Sequence, residues 1–214
     1  MAMSKPLYRG LACERPEYFH NAYVFPHLFK MIKKYNVSKD ASILDVGCGG
    51  GNLLSRLYAL GFKNLYGFDI SPSAVKVIRD NFPFLKEKTI IHDCYDENLG
   101  LGIKQFDCIT SLEVIEHLFY PHAYLRNINK WLKKDGLLFL STPYHGLLKN
   151  LAILISGRFD KHFDPISEEW HIRYFSKKTL KNILRMNGFA VVNLEETGGI
   201  PLFWRSMLAV ARKI

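Results

Sequence analysis

The sequence predicts an α/β fold: a seven-stranded, mostly parallel sheet with helices on both faces and an antiparallel strand at its C-terminal end. Three observations carry that expectation. Short apolar runs alternate with segments of helical spacing along most of the chain, a glycine cluster follows the first run, and no helix separates the last two. The alternation requires crossover connections, and therefore parallel strands buried on both faces. The missing last crossover permits an antiparallel neighbour.

Residues 14–36 carry aromatic and aliphatic side chains at roughly helical spacing, with Pro16 near the start and Pro26 as an expected break, and read as a helical segment leading into the domain. Residues 42–46 form the first strand. The glycines of ILDVGCGGGN follow it, and residues 52–60 make a helix ended by Gly61. The second strand, 64–69, closes on an acid and completes a βαβ unit. Ser71 and Pro72 supply an N-cap and a first-turn proline for a helix through about 81, before a third strand at 88–92. A fourth strand at 106–111, a helix at 121–133 stopped by Asp135-Gly136, and a fifth strand at 137–142 continue the rhythm. A helix at 177–187 ends at Gly188, and strands at 189–195 and 206–213 finish the chain. The connection from 144 to 175 is too long for an ordinary loop and contains LLKNLAILISG. That segment reads as a lid helix or core in preference to an interfacial helix, because Lys149 is its only charge.

At 214 residues, 48% hydrophobic and 14% aromatic, the chain has the composition of one folded domain spanning 1–214, with 14–36 and 144–175 as a substrate lid. No run approaches the ~20 apolar residues that cross a bilayer. MAMSKPLYRG holds no apolar run of signal-peptide length, so the expected location is cytoplasmic. Cys13, Cys48, Cys94 and Cys108 are widely separated and read as reduced thiols. A net charge of +9 favours acidic partners, but the basic residues are dispersed and read mostly as solvated helix faces.

A glycine-rich turn between a strand and a helix serves as a tight turn or lets backbone N–H groups approach a ligand. Asp69, some 18 positions after Gly51, stands where an acid takes both ribose hydroxyls in nucleotide-binding α/β folds. Asp93, after the third strand, can accept from the exocyclic amino group of a base, and Ser111-Leu112-Glu113 ends the fourth strand on the same edge. The dinucleotide fingerprint would need a glycine where Asn52 stands, and no Gly-Lys-Ser/Thr of a Walker A loop is present. Asp45, two residues before the first glycine, opposes a pyrophosphate and suits a ligand with a cationic centre.

ILDVGCGGGN, GFDIS, HDC, SLEVIEHL, LKKDGLLFLSTP and the closing FAVVNLEE and SMLAVARK strands together resemble the class I S-adenosylmethionine-dependent methyltransferases, from about residue 42 to the C-terminus. The resemblance implies a Rossmann-like seven-stranded sheet, S-adenosyl-L-methionine as cofactor and S-adenosyl-L-homocysteine as product. It implies that Asp45, Gly47, Cys48 and Gly49 surround the methionine part and ribose, and that Asp69 holds the ribose hydroxyls. By the same resemblance Ile70 packs on adenine, Asp93 with Cys94 meets the adenine amino group, and Leu112 or Glu113 contacts the cofactor.

In EVIEH, a helical turn after the fourth strand would put Glu113, Glu116 and His117 at i, i+3 and i+4 on one face. His117 then acts as a general base oriented by Glu116, or the carboxylates and imidazole hold a divalent metal ion that lowers the pKa of a substrate hydroxyl. A structural or cofactor-binding role is the third alternative. E-x-x-E-H resembles the segment of metal-dependent O-methyltransferases of ubiquinone biosynthesis and of small-RNA 2′-O-methyltransferases. The latter add a downstream histidine, for which His171 in EWHIRYFS is the candidate; His145 and His162 read as surface residues.

Tyr18, Tyr23, Tyr144, Phe159, Phe163, Trp170, Phe203 and Trp204 supply aromatic surface for an acceptor pocket. The expected function is O-methylation of a small-molecule or lipid-like acceptor, with RNA 2′-O-methylation and non-catalytic cofactor binding as alternatives. Nucleic acid is disfavoured for want of a continuous basic face, and peripheral membrane contact through 147–157 stays open.

Overall fold

The computed structural model describes residues 22–163 and 171–214. The expectations for residues 14–21, for Trp170 and for the side chain of His162 lie outside the described residues. A 3-10 turn at Ala22–Val24 leads into α1 (Phe25–Lys34). Pro26 falls in the first turn of α1, where its missing N–H has no partner to lose, so the helix begins at the proline.

The elements then run β1 (Ile43–Val46), α2 (Asn52–Ala59), β2 (Leu65–Asp69), α3 (Pro72–Asn81), β3 (Thr89–Ile91), β4 (Phe106–Leu112) and α4 (Pro121–Trp131). They continue as β5 (Leu132–Pro143), α5 (Leu147–Ile155), α6 (Phe159–His162), α7 (Lys177–Met186), β6 (Phe189–Thr197) and β7 (Ser206–Lys213). Ser71 caps α3 as its position predicts, its hydroxyl accepting from Ala74 N at 3.3 Å.

The seven strands form one sheet in the order β3-β2-β1-β4-β5-β7-β6, and β7 alone runs antiparallel to its neighbours. This is the expected mixed sheet. Every residue of β1 is buried, as a strand covered on both faces must be. Leu28, Met31, Leu54, Leu57 and Ile78 of α1 to α3 pack in one core cluster, and Tyr124, Leu125, Ile128, Leu180 and Leu184 of α4 and α7 in the other.

Three sequence expectations need correction. The helix expected to reach 133 stops at Trp131, because Leu132 is extended, fully buried and paired with Phe106; that packing outweighs the helix propensity of the lysines after it. In α5 only Ile153 is buried, while Leu147, Leu148, Leu151, Leu154 and Ile155 are exposed, so the segment is not core. His145 is half-buried, its ring edge-on to Tyr174 at 4.9 Å, and is not a surface residue. Among the described residues no helix is long and apolar enough to cross a membrane.

Strand order reverses between β1 and β4, and the carboxyl ends of β1, β2, β4 and β5 share one edge. Ser206, the first residue of β7, pairs there with Pro143. An open α/β sheet offers its ligand crevice at such a reversal.

Candidate active site

The loop after β1 is shaped by glycine at two positions in particular. Gly47 has φ +70°, and a Cβ there would come within 2.6 Å of Val114, so its absence lets the segment after β4 close over the loop. Gly49 has φ +50°, and a Cβ there would meet nothing within 4 Å: the loop faces open space. The N–H groups of Gly47 and Cys48 donate to Phe68 O at 2.9 and 3.0 Å, and Gly49 N–H donates to Asp69 Oδ2 at 2.9 Å. Three loop donors are thus spent on β2, which makes the loop a poor phosphate cradle. Its physics agrees with the broken dinucleotide fingerprint.

The Cys48 thiol turns inward, its Sγ 3.0 Å from where a Gly67 Cβ would stand, and burial pushes its pKa well above the usual thiol value. What Cys48 offers the open side is backbone. Asp45 is buried and accepts from the Thr110 hydroxyl at 2.7 Å; desolvation pushes its pKa up to about 7. Asp69 closes β2 with Oδ1 accepting from Ser71 N at 2.9 Å, and burial raises its pKa despite its backbone bonds. Ile70 beside it is exposed. Beyond β3, Asp93 accepts from Tyr95 N at 2.9 Å, and burial pushes the adjacent Cys94 thiol up to about 12. Leu112 ends β4, half-buried. Asn52 Nδ2, at the start of α2, is buried without a hydrogen-bond partner.

Past β4 the chain departs from expectation. Glu113 takes φ +56°, a left-handed conformation, and leaves the short 3-10 turn Ile115–His117 that follows. Its carboxylate accepts from Ser141 Oγ at 2.6 Å and Ser206 Oγ at 3.0 Å, and Ser206 Oγ lies 2.6 Å from Tyr23 OH. Burial raises the Glu113 pKa. The expected single face of Glu113, Glu116 and His117 does not form.

His171 takes the third place. The N–H groups of Ile172 and Arg173 both donate to Glu116 O at 3.0 Å, drawing the end of the insertion onto the turn. The His117 and His171 rings meet edge-on at 4.9 Å. Glu116, His117 and His171 each offer a donor atom, all within 4.8 Å of one another. Glu116 is fully buried; Oε2 accepts from Thr142 Oγ1 at 2.9 Å, and Oε1 has no hydrogen-bond partner. Burial, then the charge of Glu113, drives its pKa well up. Burial, with His117, His145 and Lys149 nearby, lowers that of His171 to about 4, so this imidazole is neutral near pH 7. Two imidazoles and a carboxylate suit proton transfer or a first-row divalent ion.

Ser141, Thr142, Ser206, Thr110 and Lys149 were not anticipated. Lys149 points inward, donating to Tyr144 O at 2.8 Å and Trp204 O at 3.1 Å. One sequence signal was available for the hydroxyls: Ser141 and Thr142 break an apolar strand near its carboxyl end, where buried polar groups need partners.

A family model described as a methyltransferase domain matches residues 20–194. The ubiquinone biosynthesis O-methyltransferase of Coxiella burnetii (strain RSA 493 / Nine Mile phase I) is 36% identical over 170 residues, 79% of this chain and 72% of the relative. That of Glaesserella parasuis serovar 5 is 30% identical over 122 residues, 55% of this chain and 51% of the relative. The mitochondrial one of Candida albicans is 29% identical over 163 residues, 72% of this chain and 49% of the relative. The chain therefore spans about half the length of the last two. Among solved structures, magnesium protoporphyrin IX methyltransferase from Synechocystis PCC 6803 with bound SAH aligns with TM-score 0.67 at 19% identity, covering 88% of this chain and 81% of that one. An S-adenosylmethionine-dependent methyltransferase from Mesorhizobium loti aligns with TM-score 0.69 at 18% identity, covering 90% and 99%. At such identities the structural likeness shows the fold.

Proposed function

The chain belongs to the class I S-adenosylmethionine-dependent methyltransferase family, and from that membership we propose that it methylates a hydroxyl of a small-molecule or lipid-like acceptor, releasing S-adenosyl-L-homocysteine. The observation that carries the proposal is the shared sheet edge. There the loop open at Gly49, flanked by Asp45 and Asp69, adjoins a turn that gathers Glu116, His117 and His171.

The residues fit the cofactor. Gly49 leaves room where a side chain would intrude, Asn52 Nδ2 is an unpartnered donor nearby in sequence, and no phosphate needs the N–H groups spent on β2. Asp69 keeps lone pairs for the ribose hydroxyls beyond those bonded to Gly49 and Ser71, and Ile70 offers an exposed apolar surface to adenine. Asp93 and the Cys94 backbone would hold the adenine amino group, Asp45 would meet the amino-acid part, and Leu112 would close the β4 side. Glu113, engaged by Ser141 and Ser206, holds the ends of β4, β5 and β7 together. When bound, the cofactor supplies an electrophilic methyl group on a sulfonium.

Glu116, His117 and His171 serve the acceptor hydroxyl. His117 takes its proton, with the Glu116 carboxyl beside it in the same cluster. The same donors fit a divalent cation: Glu116 Oε1 is a vacant buried acceptor and His171 keeps its lone pair near pH 7. Held there, a cation would lower the pKa of the acceptor hydroxyl.

A lipid-like acceptor, and peripheral contact with a membrane, are supported by the outward Leu and Ile side chains of α5 and by exposed Ile200, Leu202 and Phe203 in the β6–β7 connection. The entry segment and the insertion act as the lid of a single domain. The reading is tested by calorimetric titration with S-adenosyl-L-homocysteine and by transfer of labelled methyl to catechol or to an RNA oligonucleotide, with and without EDTA. Wild type binds the product, Asp69→Ala binds at least tenfold more weakly, and label enters catechol. Failure of the wild type to bind sinks the reading, and label in RNA alone replaces the acceptor class.

A further inference from the structure

Two segments bracket the cluster: the residues after His117 and the residues after His171. Together with the start of α7 they line an open groove of about 610 Å³, a volume typical of small-molecule sites. Phe119, Tyr120, Ile172 and Tyr174 line it and are all exposed, although nothing in the sheet's packing requires four large apolar side chains to meet solvent in one place. Among the described residues the charged side chains that line the groove are Arg126 and Arg173, with His122 beside them, and no carboxylate lines it.

The two arginines differ in how they are used. Arg173 is spent on structure, donating to Leu118 O at 2.8 Å and Phe119 O at 2.6 Å, which clamps the two segments together. Arg126 enters no ion pair among the described residues. The His122 Nδ1 accepts from Asn187 Nδ2 at 3.0 Å, which leaves Nε2 as the nitrogen carrying hydrogen. The first turn of α4, which begins at Pro121, has neither an acid nor a side-chain cap, so its N–H dipoles add to the positive potential.

We propose that this groove binds a ring-bearing anion of small-molecule size, an aromatic carboxylate or phosphate ester. Its ring lies among Phe119, Tyr120 and Tyr174 and its charge against Arg126 and His122. The groove communicates with the cluster through backbone: Ile172 and Arg173, on its wall, donate to Glu116 O, so a ligand that orders residues 172–174 also orders His171. The anion is either the charged ring end of the acceptor or a separate molecule. The binding claim goes beyond the methyl-transfer reading and does not depend on it.

The test compares 2-naphthoate with its neutral counterpart 2-naphthamide, by NMR titration of the full chain. Naphthoate should perturb amides at 119–126 and 172–179 and bind at least fivefold more tightly than naphthamide. Arg126→Gln should abolish that difference, and Arg126→Lys should restore it in part. An unchanged S-adenosyl-L-homocysteine isotherm for Arg126→Gln separates loss of the groove from loss of the fold. Competition between naphthoate and catechol in the transfer assay assigns the ring to the acceptor, and an effect without competition assigns it to a second molecule. Equal affinity for the two probes, an undiminished preference in Arg126→Gln, or perturbations centred on 147–155 overturn the proposal.

Discussion

Glu116 has no solvent exposure, one bonded carboxylate oxygen and one without a partner. Such a residue costs stability, since a buried polar atom left unsatisfied forfeits about 1–3 kcal/mol. Its replacement by an isosteric amide should therefore separate fold from chemistry. Glu116→Gln should keep or raise Tm, leave S-adenosyl-L-homocysteine affinity unchanged, and lower kcat roughly 10²-fold or more, the usual worth of positioned acid–base help. Calorimetry and a single-turnover methyl-transfer assay read the two halves; equal loss of Tm and kcat would point to a purely structural role. At this scale the sequence was partly legible. EVIEH put Glu116 beside His117, and EWHIRYFS nominated His171 across 54 residues of chain. The direction of Glu113 was not legible, because a left-handed φ at a non-glycine residue is imposed by tertiary contacts, here Ser141 and Ser206, which sit 28 and 93 positions away.

At the scale of one element, α5 reverses the usual helix. Its cation and its amide, Lys149 and Asn150, are half-buried; Lys149 donates to backbone carbonyls, and the side chain of Asn150 lies 3.2 Å from His145 Nδ1. Its exposed positions are Leu and Ile. The composition of LLKNLAILISG announced an apolar helix, yet periodicity cannot say which face of a helix that is apolar nearly all round meets the sheet. Lys149, the single charge on which the sequence reading preferred a lid or core helix to an interfacial one, is an internal hydrogen-bond donor and adds no charge to the exposed face. Because each Leu transferred from water to hydrocarbon is worth about 1.5–3 kcal/mol, the double variant Leu148→Gln/Leu151→Gln should lose tenfold or more of its affinity for phosphatidylcholine–phosphatidylglycerol vesicles. Co-sedimentation reads the loss, and Tm should stay within a few degrees because both side chains are already exposed. Wild-type protein that stays in the supernatant refutes the lipid-facing reading.

For the whole molecule, the reversal of strand order sets the electrostatics as well as the crevice. Strands that end on one edge bring Asp45, Asp69, Glu113 and Glu116 to it, and burial raises the pKa of all four. The alternation of strands and helices made that edge legible from sequence. The depth at which each acid sits was not, because burial depends on how the segments after β4 and the insertion close over it. The consequence for stability follows from linkage. Asp45 titrates near 3.8 when unfolded and near 7 when folded, so between those values the folded state holds the extra proton and stability falls as pH rises. Asp69, Glu113 and Glu116 act in the same direction. His171 opposes them: lowered from 6.5 to about 4, it makes stability rise with pH across that window, but it is one group against four and is silent above it. The cofactor-free protein should accordingly lose roughly 5–10 °C of Tm between pH 5 and pH 8. Asp45→Asn should flatten the slope from pH 5 to about 7, the part of the range below its folded pKa. Scanning calorimetry across that range decides the matter: a Tm that climbs steadily to pH 8 would mean that these carboxyls are ionised and solvated, and that the edge is open where the structure has it closed.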